Sequence, residues 1–172
     1  DAFVSKLDSS GDLVWAKSSG STGNEHSKSV AVDSSGNVYT TGYFIYTVDF
    51  DPGAGTTNLT SAGGYDVFVW KLDSSGDLVW AKSFGDTSSD RGHAVAVDSS
   101  GNVYTTGYFR GTVDFDPGAG TTEFTGGWDV FVVRLDSTGN LGTVVPAGFT
   151  LSTTTVSVAE TGTTAQFTVV LD

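Results

Sequence analysis

Cysteine and methionine are both missing from this 172-residue sequence, proline occurs three times, and lysine plus arginine together number only eight. Without Cys there is neither a disulfide framework nor a thiolate metal site, so thiols say nothing about the redox compartment. Set against 20 Asp and Glu, the eight Lys and Arg leave a formal net charge of -12. Recognition of phosphate backbones and of anionic lipid heads rests on clustered Lys and Arg, so nucleic acid and membrane surfaces drop out as expected partners. No apolar run approaches the length of a membrane span, and no charged-then-apolar leader opens the chain, so membrane insertion is not expected. A chain that opens at Asp1 and holds no Met reads as a processed or excised piece, with any export signal lying elsewhere.

What is present points to strands. Glycine occurs 23 times, aromatics make up 12%, and Ser, Thr and Val are abundant. That composition suits many short strands joined by tight turns and disfavours long helices. The length is enough for one domain with a core, or for one domain plus part of another.

The sequence also repeats itself. DAFVSKLDSSGDLVWAKSSG at 1–20 returns as DVFVWKLDSSGDLVWAKSFG at 66–85. VAVDSSGNVYTTGYF at 30–44 returns unchanged at 95–109, and TVDFDPGAGTT at 47–57 returns unchanged at 112–122. Of positions 1–60, 45 are identical 65 residues later. A third copy begins at Asp129 as DVFVVRLDSTGNL, two residues early, and fades after Leu141. A period of this size means stacked or radially arranged units.

Within a unit, short runs of alternating apolar and polar residues end at Asp/Ser/Gly/Asn clusters, which gives four strands. Strand A is expected around Ala94–Asp98, B around Asn102–Phe109, C around Val67–Asp73 and D around Asp77–Ser83. The turns DSSGN (98–102) and DSSGD (73–77) supply Gly for positive φ and Asp to hold the turn amides. Pro117 and Gly118 in the longer link from B to C are expected to force a corner.

With those motifs in view, VAVDSSGNVYTTGYF followed by DVFVWKLDSSGDLVWAKSFG resembles the bacterial beta-propeller repeat family over about residues 1–141. The resemblance implies one four-stranded antiparallel blade per repeat, with A innermost and D outermost. The expected fold is therefore all-β, with propeller-type blades in about two 65-residue repeats. A partial blade covers 1–20 (C-D), a full blade about 29–85 and a partial blade about 94–141 (A-B-C). Two blades do not close a ring, so open sheet edges need cover.

Beyond Leu141 the material changes. GTVVPAG, with Pro146 and Gly148, reads as a linker over 142–148. In FTLSTTTVSVAETGTTAQFTVVLD, Val156 and Val158 alternate with polar residues. A Glu160–Gly162 turn follows, and then Phe167, Val169 and Leu171 alternate again. Residues 149–172 resemble the opening strand pair of a Calx-beta-type extracellular module, a β-hairpin or partial β-sandwich. Such a pair is marginal alone, so Phe149, Leu151, Val156, Val158, Phe167, Val169 and Leu171 are candidate contact residues.

The chemistry-bearing residues divide between turn roles and sites. Asp49 and Asp51, with their copies Asp114 and Asp116, are candidate calcium ligands, as are Asp8 and Asp12 in DSSGD. The segment lacks the dense alternating acids and closing Glu of an EF-type loop, and the same aspartates serve equally as turn residues. His26 and His93 occupy inequivalent repeat positions, since His26 aligns with Arg91. With two His and no Cys a zinc site is disfavoured, and no Ser-His-Asp set stands out. Trp15 and Trp80, repeat equivalents on strand D, are expected to pack between blades. Trp128 falls on or just before strand C. Trp70 replaces Ser5 and Val133 at its position and is the candidate for an exposed contact. Ser21–Ser29 differs from Asp86–Ala94 at eight of nine positions between nearly fixed flanks, which fits either contact diversification or unconstrained divergence.

The expected function is a non-enzymatic, extracellular or cell-surface structural protein, bacterial by its repeat, that needs no cofactor. It would contact copies of itself through open edges and the C-terminal strand pair, or other surface proteins, with carbohydrate a further ligand class. The alternatives are an excerpt of a large adhesive or ligand-binding propeller, and a propeller enzyme, for which no unrepeated acid/His constellation is visible.

Overall fold

The computed structural model describes residues 1–142 in full and, beyond them, the backbone of Val156–Glu160 and Thr163–Phe167. Its strands are built around the recurring Asp-Ser-Gly turns. In DSSGN at 33–37, Asp33 Oδ1 accepts the Ser35 and Asn37 main-chain N–H groups at 2.9 and 3.0 Å. Its Oδ2 accepts the Asn37 amide and the Tyr39 hydroxyl at 2.7 and 3.0 Å. Burial opposes ionisation here, but the bonds from Asn37, Tyr39 and Ser35 prevail and hold the carboxyl below its ordinary value. Asp8, Asp73, Asp98 and Asp136 grip their own turns in the same way.

Those turns close antiparallel hairpins. β1 (Ala2–Leu7) pairs with β2 (Leu13–Ser19) as a two-stranded sheet. β3 (His26–Val32) and β4 (Val38–Phe44) lead through a small hairpin of β5 (Thr47–Asp49) and β6 (Asn58–Thr60) into β7 (Asp66–Leu72) and β8 (Leu78–Phe84). The four long strands form one sheet in the order β3-β4-β7-β8. β9 (Arg91–Val97), β10 (Val103–Asp114) and β11 (Glu123–Leu135) make a three-stranded sheet with β10 central. A fourth strand starts there as a single bridge from Leu135 to Leu141. β12 (Val156–Glu160) and β13 (Thr163–Phe167) pair as a hairpin, Val156 opposite Phe167.

The fold is thus all-β and antiparallel, with no helix among the described residues. Its sheets are propeller-type blades, in the sequence C-D, A-B-C-D, A-B-C. Strands C and D at 66–84 share a sheet with A and B at 26–44, and A and B at 91–114 pair with β11. One detail goes beyond the sequence reading: in the third blade, B and C continue toward the Pro117–Gly118 reversal as one long ladder, from Val103–Leu135 to Asp114–Glu123. A register shift between Phe109 and Gly111 absorbs the change of direction.

Two apolar layers join the blades. Ala2, Val4 and Trp15 of the first meet Val38, Phe44, Phe68, Trp70, Leu72 and the link residues Val48 and Phe50 of the second. Tyr39, Val67, Val69 and Trp80 of the second then meet Val103, Phe109, Val113, Phe115, Phe131, Val133 and Leu135 of the third. Alternation along each strand sends one set of side chains to the preceding blade and the other to the following one.

Candidate interaction surfaces

Each blade grips the next with the same polar latch. Lys6 Nζ and Trp15 Nε1 both donate to the Ser74 carbonyl of the second blade, at 3.0 and 3.2 Å. Lys71 Nζ and Trp80 Nε1 both donate to the Ser137 carbonyl of the third, at 3.2 and 3.1 Å. The turn glycines Gly76 (φ 84°) and Gly139 (φ 82°) lie so close to the Trp15 and Trp80 rings that a Cβ would stand 3.0 and 2.9 Å from ring carbons. The expected packing role of Trp15 and Trp80 is what the geometry displays.

At the outer ends the same surfaces face solvent. Phe68, Leu72 and Phe131, Leu135 are buried against the preceding blade, but their first-blade counterparts Phe3 and Leu7 are exposed, Phe3 by 68%. Val67, Val69 and Tyr39 are buried against the following blade, but their third-blade counterparts Val130, Val132 and Tyr104 are exposed, Val130 by 59%. Beside the turn glycine Gly11 nothing lies within 4 Å of where a Cβ would stand, in contrast to Gly76 and Gly139. A shallow groove lined by Val95, Tyr104, Thr105 and Val132 lies in the third blade, and another, lined by Phe3, Val4, Lys28 and Val30, runs where the first blade meets β3 of the second. These end-face residues escaped the sequence reading. Their signal was present in the repeat: an apolar position packed against a neighbouring blade has no neighbour in the outermost copy.

Trp70 is not an exposed contact. It is fully buried between the first two blades, 6.0 Å from the Phe50 ring, and its strand β7 has hydrogen-bonded neighbours on both sides. Ser5, its counterpart in the first blade, lies on the open end face, and Val133 fills the equivalent space between the second and third blades.

The aspartates named as calcium candidates organise the tips of the B-to-C links. Asp49 Oδ1 accepts the Asp51 and Thr57 N–H groups at 3.0 and 2.8 Å, and Asp51 Oδ1 accepts that of Gly53 at 2.8 Å. Asp114 and Asp116 repeat the pattern with Asp116, Thr122 and Gly118. The bonds from Thr57 and Asp51 hold the Asp49 carboxyl below its ordinary value against the opposing effect of burial. Among the described residues no three His, Asp or Glu side chains converge on one metal position. Val156, Val158 and Phe167 belong to the paired hairpin backbone. Phe149, Leu151, Val169 and Leu171 lie outside the described residues, as does the 143–148 part of the linker.

Basic and aromatic side chains gather where the variable loops enter strand A. The His26 ring stacks on Tyr43 at 4.8 Å, with Lys28 and Arg91 at 5.3 and 4.7 Å from the same ring. His93 stacks on Tyr108 at 5.2 Å, and Arg110 lies 5.7 Å from the Trp128 ring. Although His26 and His93 are offset by two positions in the repeat, each covers the equivalent tyrosine. His26 and Lys28 in one copy, and Arg91 and His93 in the other, keep both positions basic inside the most divergent stretch of the repeat.

A family model described as Beta-propeller repeat matches residues 26–43 and 79–108, which contain β3 and most of β4, then most of β8, all of β9 and the first half of β10. Those strands match the beta-propeller repeat. The regulatory protein FlaEY of Caulobacter vibrioides is 31% identical over 140 residues, covering 81% of this chain and 14% of that protein. An uncharacterized WD repeat-containing protein of Acanthamoeba polyphaga mimivirus is 28% identical over 111 residues, 56% of this chain and 8% of that one. The chain therefore spans only a small fraction of the curated relatives it matches. The family model and these relatives agree in showing a repeat protein built on the beta-propeller repeat.

Proposed function

We propose that the chain is a non-enzymatic structural or interaction protein of the extracellular space or cell surface, and that it associates with copies of itself. One observation carries the reading: apolar positions buried at both internal blade junctions are exposed at both ends of the series. Exposed apolar surface of this kind, on an otherwise strongly acidic chain, marks a place where another polypeptide sits. Sedimentation velocity over a range of concentrations tests it. A mass that rises with concentration supports the reading, and a monomer at every concentration overturns it.

A second reading is favoured by the length of the relatives, of which this chain covers 14% and 8%. There the chain is part of a larger surface propeller, further repeats cover the two end faces, and the basic and aromatic loop cluster meets the ligand. A longer chain carrying additional 65-residue copies would then be monomeric.

A further inference from the structure

We infer that two copies of the chain dock head to tail, the Val130–Val132 face of the third blade of one copy against the Phe3–Leu7 face of the first blade of the other. This rests on the self-association reading above and names its surfaces.

The warrant is that the chain already contains this interface twice. At the junction of the second and third blades, Val67 and Val69 face Phe131 and Leu135. Val130 and Val132 are the repeat counterparts of the former pair, Phe3 and Leu7 of the latter, and all four are exposed. Docking one end on the other reproduces a contact the sequence is already shaped for, between side chains of the same size in the same register. Half of the latch has a counterpart there: Arg134, which reaches Asn102 Oδ1 at 3.5 Å, stands at the repeat position of Lys6 and Lys71, and Ser9 at that of Ser74 and Ser137, whereas the Trp of β2 and β8 is not repeated after Leu141.

Edges offer no such match. The free edge of β1 is that of a C strand lacking its B neighbour, and beyond the Leu135–Leu141 bridge the edge of β11 is that of a C strand lacking its D neighbour. Joining them would pair C with C, an arrangement found nowhere among the described residues. Face docking is also heterologous: the two surfaces differ, so a docked pair still presents one free surface of each kind and can add further copies. Because each copy carries a net charge of -12, association should strengthen as salt screens the repulsion.

Two single variants decide the matter: Phe3→Asp spoils one face and Val130→Asp the other. Both positions are exposed in the isolated chain, so the fold should survive, and an unchanged melting profile checks this. If either variant melts early, Leu7→Gln and Val132→Thr carry the same test. Sedimentation velocity of each variant alone should give a monomer, and an equimolar mixture should give a dimer and nothing larger, through the one intact face on each partner. If one variant alone still dimerises, the contact is isologous and the proposal falls. If both are monomeric and their mixture is too, it falls likewise. If both associate like the unaltered chain, the contact lies at the edges or the C-terminal hairpin, which overturns this inference and leaves the self-association reading standing. A monomeric unaltered chain overturns both.

Discussion

Trp70 fills the space between the first two blades completely, and its indole nitrogen is buried there without an acceptor. Truncation to Ala should cost about 3–5 kcal/mol, the range for a large aromatic leaving a cavity. Trp70→Phe should cost less than about 1.5 kcal/mol, because losing an unpaired buried donor offsets part of the lost packing. Urea unfolding of the two variants checks both figures, and a change within about 0.5 kcal/mol for the Ala variant would mean the side chain is on the surface after all. A tryptophan standing where other copies carry Ser and Val signals, in the sequence, that its surroundings differ. It does not say which way. The room for Trp70 comes from Phe50, Phe68 and Leu72 around it, a packing fact that strand alternation places on one face without giving its depth.

At the scale of the element, the connection from β8 to β9 ties the second blade to the third through carboxylates. Asp86 Oδ2 accepts the Thr112 N–H at 2.8 Å and Asp90 Oδ1 that of Arg110 at 2.9 Å, both from β10. Beside them, burial pushes the Asp66 carboxyl up to about 7, and the charges of Asp90 and Asp86 add to the effect against one bond from Ala62. A raised carboxyl is protonated in the folded chain over a window where the unfolded chain has already ionised. Stability from this group is therefore fully present below about pH 4 and is lost as pH rises toward about 7. Asp66→Asn should remove that dependence, so that the variant gains on the unaltered chain between those limits, by a few kcal/mol if each pKa unit counts for about 1.4. Thermal unfolding from pH 4 to pH 8 measures it, and parallel curves for the two proteins would refute it. At this scale the sequence was most legible. The Asp-Ser-Gly turns and the long strands of each unit follow from short-range alternation and turn chemistry, while the short β5–β6 hairpin in the link did not show in the pattern. The long ladder into the third B-to-C link did not, because Pro117 and Gly118 locate a reversal without saying how far pairing continues on either side of it.

For the whole molecule, protection should fall away from the middle. β4 and β7 have hydrogen-bonded neighbours on both sides and packed layers on both faces, whereas β1 has one neighbour and an exposed face. In a repeat array, stability is close to a sum of unit and nearest-neighbour terms, so end units open first. Hydrogen exchange read by mass spectrometry should give the slowest amides in β4 and β7 and faster ones in β1, with β1 slowing as concentration rises. Uniform protection across all three blades would contradict this. What the sequence withheld at this scale was the identity of the contact surface. Exposure of Phe3 or Val130 is a property of what stands beside the blade, and a linear pattern records only which face each residue takes.

The latch has one more consequence. Its donors, Lys71 and Trp80, and its acceptor turn at Ser74 lie within a single repeat, a few residues apart along the chain. Duplicating the segment therefore delivers a matched plug and socket together, and the new unit fits its parent with no further substitution. A gene built this way can lengthen or shorten by whole units and remain foldable at every step.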